Sequence, residues 1–166
     1  RLDLVFYYTI RYDKMKFLCD QMLGTLAKWL RICGLDTYYA KKHMKDKKLI
    51  EIAKKENRVL ITRDKELVYN SKREQIKTIK IETKDLDEQI ITVLGEVEID
   101  KNLVLTRCTI CNSFLEKIPK KDVKEKVPER VFEDNKEFLY CSKCDKIYWK
   151  GTHYQKMLEK IEELKS

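Results

Sequence analysis

Apolar positions between residues 16 and 94 alternate between the spacing of strands and that of helices. "KFLC" (16–19) and "RVLIT" (58–62) are short apolar runs of strand length. Between them, "MLGTLAKWLRICG" repeats its apolar residues at helical spacing, and Gly34 suits the helix C-terminus. Further strands are predicted at "DTYYA" and "KTIKIE", and further helical segments from Asp46, in "RDKELVYNSK" and in "DEQIITVLGE". Strands that alternate with helices predict an α/β sandwich with a mostly parallel sheet covered on both faces.

Two Cys-x-x-Cys pairs follow this region, "CTIC" (Cys108 and Cys111) and "CSKC" (Cys141 and Cys144). Two such pairs are the ligand set of a tetrahedral structural zinc site. "EFLY" before the second pair and "KIYWKG" after it have the pattern of a hairpin, so this part of the chain predicts a zinc ribbon. The segment between the pairs, 112–140, exceeds the usual length of ~15–20 residues, and we expect it to form an exposed, mobile loop.

Other uses of the cysteines explain less of the pattern. Paired disulfides are disfavoured because nothing in the sequence points to export. A thioredoxin-type redox site would use one Cys-x-x-Cys pair at a strand-to-helix turn and leave the second without a role. Cys19 and Cys33 fall on apolar positions, which favours packing in the core over metal binding.

Three aspartates follow or open predicted elements. Asp20 directly follows "KFLC", Asp64 lies two residues after "RVLIT", and Asp46 opens the second helix. Ligands of open α/β sheets bind outside the carboxyl ends of the strands, so Asp20 and Asp64 converge if their strands are neighbours. Converging carboxylates favour Mg²⁺ or Mn²⁺, hard ions that commonly act on phosphates. The alternative is helix capping, a frequent role of Asp, and for Asp46 alone capping is the stronger interpretation.

Positive charge is concentrated near the start of the chain. The protein has 36 Lys and Arg against 28 Asp and Glu, a formal net charge of +8, and most of the excess lies in the first 60 residues. Lys28 and Arg31 of the predicted first helix and "KKHMKDKK" at 41–48 would offer contacts to a polyanion. A solvated surface is the alternative, but the proximity of Asp20 in the sequence favours phosphate binding.

Length and composition limit the class of protein. A chain of 166 residues suits one ordinary domain, or a core domain with a small appendage. No run approaches the ~18 apolar residues of a membrane span, and the opening "RLDLVFYYTIRYDKMK" lacks the features of a signal peptide. The sequence therefore predicts a cytoplasmic protein without a membrane partner. We expect residues 1–15 to be a leader or an extra edge strand.

Five segments together resemble a known family: "KFLCDQMLGTLAKWLRICGLDT", "RVLITRDKEL", "CTIC", "VPERV" and "EFLYCSKCDKIYWKGTHYQKM". In this order they are similar to the Mut-7-type C-terminal ribonuclease domain, a PIN-like nuclease fold that carries a zinc ribbon near its end. The resemblance implies a PIN-like three-layer α/β/α nuclease domain over residues 16–104. Over residues 105–166 it implies a zinc ribbon with a long inserted loop and a C-terminal helix.

The resemblance also implies a function and a set of site residues. Proteins of this type are expected to cleave RNA with Mg²⁺ or Mn²⁺, and the zinc is expected to be structural. Asp20 is similar to the family's first acid, Asp64 to the acid of its "TRD" motif, and Asp46 to the acid that opens the following helix. Asp20 and Asp64 would hold the catalytic ion, whereas a fourth acid, Glu82 or Asp85, matches no motif clearly. The residues expected to contact RNA are Lys28, Arg31, Lys41, Lys42 and Arg63.

Two other functions stay open at this point. The first is a non-catalytic RNA- or ribosome-binding module, in which the sheet and the ribbon form a basic platform and Asp20 is dispensable. The second is a protein-interaction adaptor whose ribbon recruits a partner and which fails when Cys141 is replaced. Basic charge in the same segment as Asp20 favours the ribonuclease, acting on single-stranded or structured RNA and leaving 3′-hydroxyl and 5′-phosphate ends.

Overall fold

The computed structural model describes residues 15–166, so the prediction for residues 1–14 lies outside the described residues. Its first unit is a four-stranded sheet in the order β2-β1-β3-β4, in which every neighbouring pair is parallel. The predicted α/β fold with a mostly parallel sheet is confirmed. The strands are β1 (Lys16–Cys19), β2 (Asp36–Tyr39), β3 (Arg58–Thr62) and β4 (Thr78–Lys80).

Helices cover both faces of this sheet because apolar side chains point to each face in turn. Phe17 and Cys19 of β1 are buried together with the helices at 24–32, 86–94 and 152–165. Leu18, between them, is buried together with the helices at 46–56 and 65–73. Within residues 15–166, no helix is long and apolar enough to cross a membrane. The helices are α1 (Gly24–Ile32), α2 (Asp46–Glu56), α3 (Lys65–Arg73), α4 (Leu86–Leu94), α5 (Glu129–Asp134) and α6 (Thr152–Lys165).

The strand order places a topological switch point between β1 and β3. From β1 the chain first adds β2 on one side and then β3 on the other side. The connections therefore diverge at the carboxyl ends of β1 and β3, where open α/β sheets bind their ligands. The Asp20 amide, directly after β1, donates to the Ile61 carbonyl of β3 at 3.0 Å.

A second, antiparallel sheet has the order β5-β6-β7. Its hairpin joins β6 (Phe138–Cys141) to β7 (Lys146–Trp149), as the sequence predicts. The expected exposed loop at 112–140 is wrong in part, because this segment supplies β5 (Glu116–Ile118) and α5 and buries Val123 completely. A strand of three residues, of which two are charged as in β5, carries too little periodicity to be predicted.

The C-terminal helix α6 returns to the first unit. Its Tyr154, Met157 and Ile161 are buried in the same core as α1 and α4. Gly151, with extended backbone, occupies the N-cap position, and the helix begins at Thr152. The predicted domain boundary between residues 104 and 105 stays a prediction. The helix α6 lies after this boundary in the sequence but packs against helices that lie before it.

Gly34 ends the turn after α1 with a φ of +86°, a conformation that favours glycine. A Cβ atom at this position would lie 2.3 Å from the carbonyl oxygen of Leu103. The segment that leads to the first cysteine pair therefore crosses directly over the end of α1.

The turn Cys108–Asn112, here called the first knuckle, is bound to β2 by polar contacts. Asn112 accepts the Thr37 amide through Oδ1 at 3.0 Å and donates through Nδ2 to the Asp36 carboxylate at 2.8 Å. Asp36 also forms an ion pair with Arg58 at 2.8 Å, and the Arg58 side chain is only 10% exposed. This half-buried ion pair joins β2, β3 and the knuckle.

Replacing Asp36 with asparagine should lower the free energy of unfolding by about 2 kcal/mol at pH 7, because hydrogen bonds to a charged group are lost. Burial opposes ionisation, but the hydrogen bonds from Arg58 and Asn112 outweigh it and hold the pKa of Asp36 below its ordinary 3.8. The carboxylate thus stabilises the fold above pH 3.8, and the contribution is lost as the pH falls through the lowered pKa. Urea unfolding at pH 7, and at a series of pH values down to about pH 2, measures both effects.

The matched control is Asp87→Asn, which removes the 2.7 Å pair with Lys160. Asp87 is 48% exposed, and a surface pair of this kind contributes about 0–1 kcal/mol. Equal losses in the two variants would contradict the role given to Asp36.

Candidate active site and metal centre

Asp20 is fixed at the switch point by both of its carboxylate oxygens. Its side chain is 7% exposed. Oδ1 accepts the Gln21 amide at 2.6 Å, and Oδ2 accepts the Thr62 hydroxyl at 3.0 Å. Because β1 and β3 are adjacent and parallel, the residue after β1 lies beside the last residue of β3.

Asp64 is linked to Asp20 through the same threonine. The Asp64 amide donates to the Thr62 hydroxyl oxygen at 3.0 Å, and Asp64 Oδ1 accepts the Leu67 amide at 3.0 Å as the N-cap of α3. Asp64 therefore caps α3 and is also linked to Asp20 through the hydroxyl of Thr62. Asp64 itself is exposed, so its second oxygen is accessible to a ligand.

Asp46 is the third acid that the structure brings to this edge. Partial burial and the negative charges of Asp64, Asp20 and Glu66, in that order, raise the pKa of Asp46. The capping interpretation of Asp46 is wrong, since Lys45 occupies the N-cap position and Asp46 already lies in the first helical turn. Sequence reasoning missed Glu66, whose signal is its place in the first turn of α3, two residues after Asp64.

The proposed fourth acids are engaged elsewhere. Glu82 pairs with Lys80 at 2.7 Å, and that hydrogen bond lowers the pKa of Glu82. Asp85 caps α4 by accepting the Glu88 amide at 3.0 Å. Neither is among the charges that act on Asp46.

The donor set at this edge, made of carboxylates, fits Mg²⁺ or Mn²⁺ in its chemistry. Its geometry is open. In the part of the chain that the structure describes, the four cysteines alone gather three or more ligand atoms within 4.8 Å of one another. The aspartates are thus close enough to repel one another but are not drawn together as around a single ion.

The four cysteines form a compact cluster that fits tetrahedral zinc. All four Sγ atoms lie within 4.8 Å of one another, and Cys111 and Cys141 are 3.5 Å apart. Zinc–sulfur bonds of ~2.3 Å in a tetrahedron imply sulfur separations of ~3.8 Å. A disulfide would require ~2.0 Å. The Ile110 amide donates to Cys108 Sγ at 3.4 Å, which would stabilise a thiolate. By contrast, Cys19 and Cys33 are buried in the core, as predicted.

The prediction that Arg31 contacts RNA stays a prediction, and the structure shows that most of this side chain is engaged within the protein. Arg31 is 7% exposed, and its guanidinium donates to the Thr37 carbonyl at 2.9 Å and to the Thr109 and Ile110 carbonyls at 3.0 Å each. Its guanidinium thereby joins β2 to the first knuckle, and Arg31 also lines a groove beside Gln21. Its position four residues after buried Ala27 is the sequence signal for this burial.

The other predicted RNA contacts are accessible to different degrees. Lys41 and Lys42 are exposed and line a groove beside Gln21, whereas Lys28 is exposed on α1 outside that groove. Arg63, between Thr62 and Asp64, is half-buried, and its Nε is buried without a hydrogen-bond partner in residues 15–166.

Comparison with known proteins adds a family assignment. A family model described as "Mut7-C RNAse domain" matches residues 15–161, nearly the whole chain. Searches of curated proteins and of solved structures each found no significant match. The resemblance predicted from the sequence motifs is confirmed over almost the same residues.

Proposed function

The chain belongs to the Mut7-C RNAse domain family, and on that premise we propose that it is a metal-dependent ribonuclease with an acidic Mg²⁺ or Mn²⁺ site. The observation that carries the proposal is the convergence of Asp20, Asp46 and Asp64 at the switch point of the sheet. The raised pKa of Asp46, due partly to the other two charges, is the electrostatic sign of this convergence. Such repulsion is relieved when a cation binds.

The chemistry of these side chains fits phosphodiester hydrolysis. Asp20 and Asp64 would hold one or two ions, which when bound supply a water of lowered pKa and stabilise the charge of the phosphate. Asp20 is oriented in advance by Gln21 and Thr62, so no reorientation is needed when substrate arrives. Asp46, with its raised pKa, is suited to take up a proton from the attacking water.

Cationic side chains near the acids would hold the RNA. Lys41 and Lys42 are exposed, and Arg63, which precedes Asp64, is half-buried. These groups bind phosphates without reading sequence, so the affinity should fall as the salt concentration rises. The zinc would be structural, holding the first knuckle in place.

The test is cleavage of an end-labelled, mixed-sequence single-stranded RNA with Mg²⁺, with Mn²⁺ and with no added divalent ion. We expect cleavage only with an added ion, and products with 3′-hydroxyl and 5′-phosphate ends. The double variant Asp20→Asn/Asp64→Asn should not cleave. Zinc content and thermal unfolding are measured for both proteins, so that inactivity is not confused with misfolding.

Equal RNA binding by both proteins with cleavage by neither would overturn the ribonuclease proposal. That result would favour the non-catalytic RNA- or ribosome-binding module. Cleavage that is independent of added Mg²⁺ and Mn²⁺ would overturn the assignment of the metal.

A further inference from the structure

We propose that the groove between β2 and the first knuckle binds an unpaired stretch of RNA and leads it to Asp20. This inference rests on the proposed ribonuclease function and adds a substrate class to it, RNA whose bases are unpaired. It also gives the zinc knuckle a direct part in substrate binding, as one wall of the groove.

The groove begins at the residue that follows Asp20, since Gln21 is part of its lining. It has a volume of about 770 Å³ and is lined by eleven residues, none of which is acidic. Its lining includes Gln21 and Met22, which directly follow Asp20, and Ile110 of the first knuckle. A cleft of this size can accept a nucleotide, and a chain bound in it would continue past Asp20.

Three large apolar or aromatic side chains of the groove are exposed in the absence of a ligand. Met22 is 61% exposed, Ile110 is 56% exposed and Tyr39 is 37% exposed. Apolar surface grouped in this way indicates a binding site. Bases offer flat faces that stack on aromatic rings and pack on apolar side chains, provided that they are not already stacked in a duplex.

Tyr39 is held in place for such stacking. Its hydroxyl donates to the Gln21 carbonyl at 2.6 Å, and its ring lies against Gly24, where an added Cβ would come within 2.9 Å of the hydroxyl oxygen. The Gln21 side chain also accepts the His43 amide at 3.3 Å. Gln21, the residue next to Asp20, therefore contacts both Tyr39 and the turn that carries the lysines.

The charge of the groove fits a polyanion better than an apolar peptide. Lys41 and Lys42 line it, and in residues 15–166 neither pairs with a carboxylate. Free ammonium groups beside stacking surfaces are typical of single-strand binding sites, where the lysines contact the backbone and the apolar side chains contact the bases.

The knuckle wall depends on contacts already described. Arg31 binds the carbonyls of Thr109 and Ile110, and Asn112 binds Thr37 and Asp36. Ile110 lies between Cys108 and Cys111, so its position also depends on the zinc cluster. The zinc ribbon thus contributes to the groove through a rigid, docked turn.

The test measures binding apart from cleavage. Asp64→Asn serves as the parent protein, with zinc bound and no other divalent ion added, and fluorescence anisotropy follows a labelled ten-nucleotide RNA without self-complementarity. Tyr39→Ala should weaken binding about tenfold, the usual effect of losing one stacked base. Lys41→Gln/Lys42→Gln should make the negative slope of log K against log salt shallower by about 1.4. Tyr39→Phe, which keeps the ring, should bind within about threefold of the parent.

Matched controls separate the groove from the general surface. Tyr69→Ala removes a tyrosine that is 63% exposed on α3, and Lys55→Gln/Lys72→Gln removes two lysines from the last turns of α2 and α3. Both controls should bind like the parent. The same RNA annealed to its complement should bind more weakly than the single strand and should be insensitive to Tyr39→Ala.

Equal affinity of the parent and the Tyr39→Ala variant for the single strand would overturn the proposal. It would also be overturned if Tyr39→Ala weakened binding of the duplex as much as binding of the single strand. The cleavage assay distinguishes this failure from failure of the proposed function. If the wild type cleaves RNA and the groove variants bind and cleave normally, the groove proposal alone is wrong. If the groove variants lose binding but the wild type never cleaves, the ribonuclease proposal alone is wrong. A DNA strand of the same sequence shows whether the groove requires the 2′-hydroxyl.

Discussion

Asp64→Asn is expected to reduce RNA cleavage by ~10²–10³-fold, the size of effect that follows the loss of one group stabilising transition-state charge, because Asp64 would hold the ion that supplies this stabilisation. The folded protein should tolerate this change. Asparagine caps helices as well as aspartate does, and the remaining oxygen can accept the Leu67 amide as Oδ1 does now. Cleavage rates at saturating Mg²⁺ or Mn²⁺ and the thermal unfolding midpoint measure the two expectations.

Two further variants separate catalysis from capping at this position. Asp64→Ala should be equally inactive but should also lose about 1 kcal/mol of stability with the cap. Asp100→Asn makes the same substitution at another N-cap, where Asp100 accepts the Asn102 amide at 2.9 Å, and should leave cleavage unchanged. Wild-type activity in Asp64→Asn would reduce Asp64 to a helix cap.

Cys141→Ala is expected to have the largest effect on folding. Structural zinc sites contribute an apparent ~10–16 kcal/mol of binding free energy, and three remaining thiolates would hold the ion much more weakly. The intact site should hold about one zinc ion per chain, and we expect the zinc content of the variant to fall well below that value. The amides of β6 and β7 should lose protection from hydrogen exchange, while those of β1 and β3 should keep more of theirs. Elemental analysis and hydrogen exchange with mass spectrometry measure these results.

The matched control is Cys33→Ala, which removes another buried cysteine outside the cluster. It should keep the zinc and lose only packing in the core. The groove assay adds a functional measurement, because a released first knuckle would move Ile110 away from Met22 and weaken single-strand binding. Full zinc occupancy in Cys141→Ala would contradict the four-cysteine site.

Local elements were predictable because each is encoded in consecutive residues. The strands of the parallel sheet, the helices that cover it and the β6–β7 hairpin all follow from short-range periodicity. The cysteine pairs predicted the metal cluster because their spacing has few other uses. The strand β5 and the helix α5 were not predictable, since both are short and depend on the strands and knuckles beside them.

Arg31 shows why accessibility was not predictable. Its charge predicts an exposed side chain, yet it is buried because three carbonyls, two of them from a turn almost eighty residues later in the sequence, accept its hydrogen bonds. No local pattern contains those partners. The same holds for the groove, whose walls come from the residues after β1 and from the first knuckle.

The sequence by itself determined the capping role of Asp64, because Thr62 and Leu67, the two partners of Asp64 in this motif, lie within three residues of it. Thr83 and Asp85 form the same arrangement, in which the threonine oxygen accepts the aspartate amide at 3.0 Å and the aspartate caps the next helix. The two motifs are locally equivalent. Only the tertiary structure decided that Asp64 and Asp20 lie near enough to Asp46 for their charges to raise its pKa. The physical reason is the strand order: β3 pairs directly with β1, whereas β4 lies beyond β3, and charges act through distance in space rather than distance in sequence.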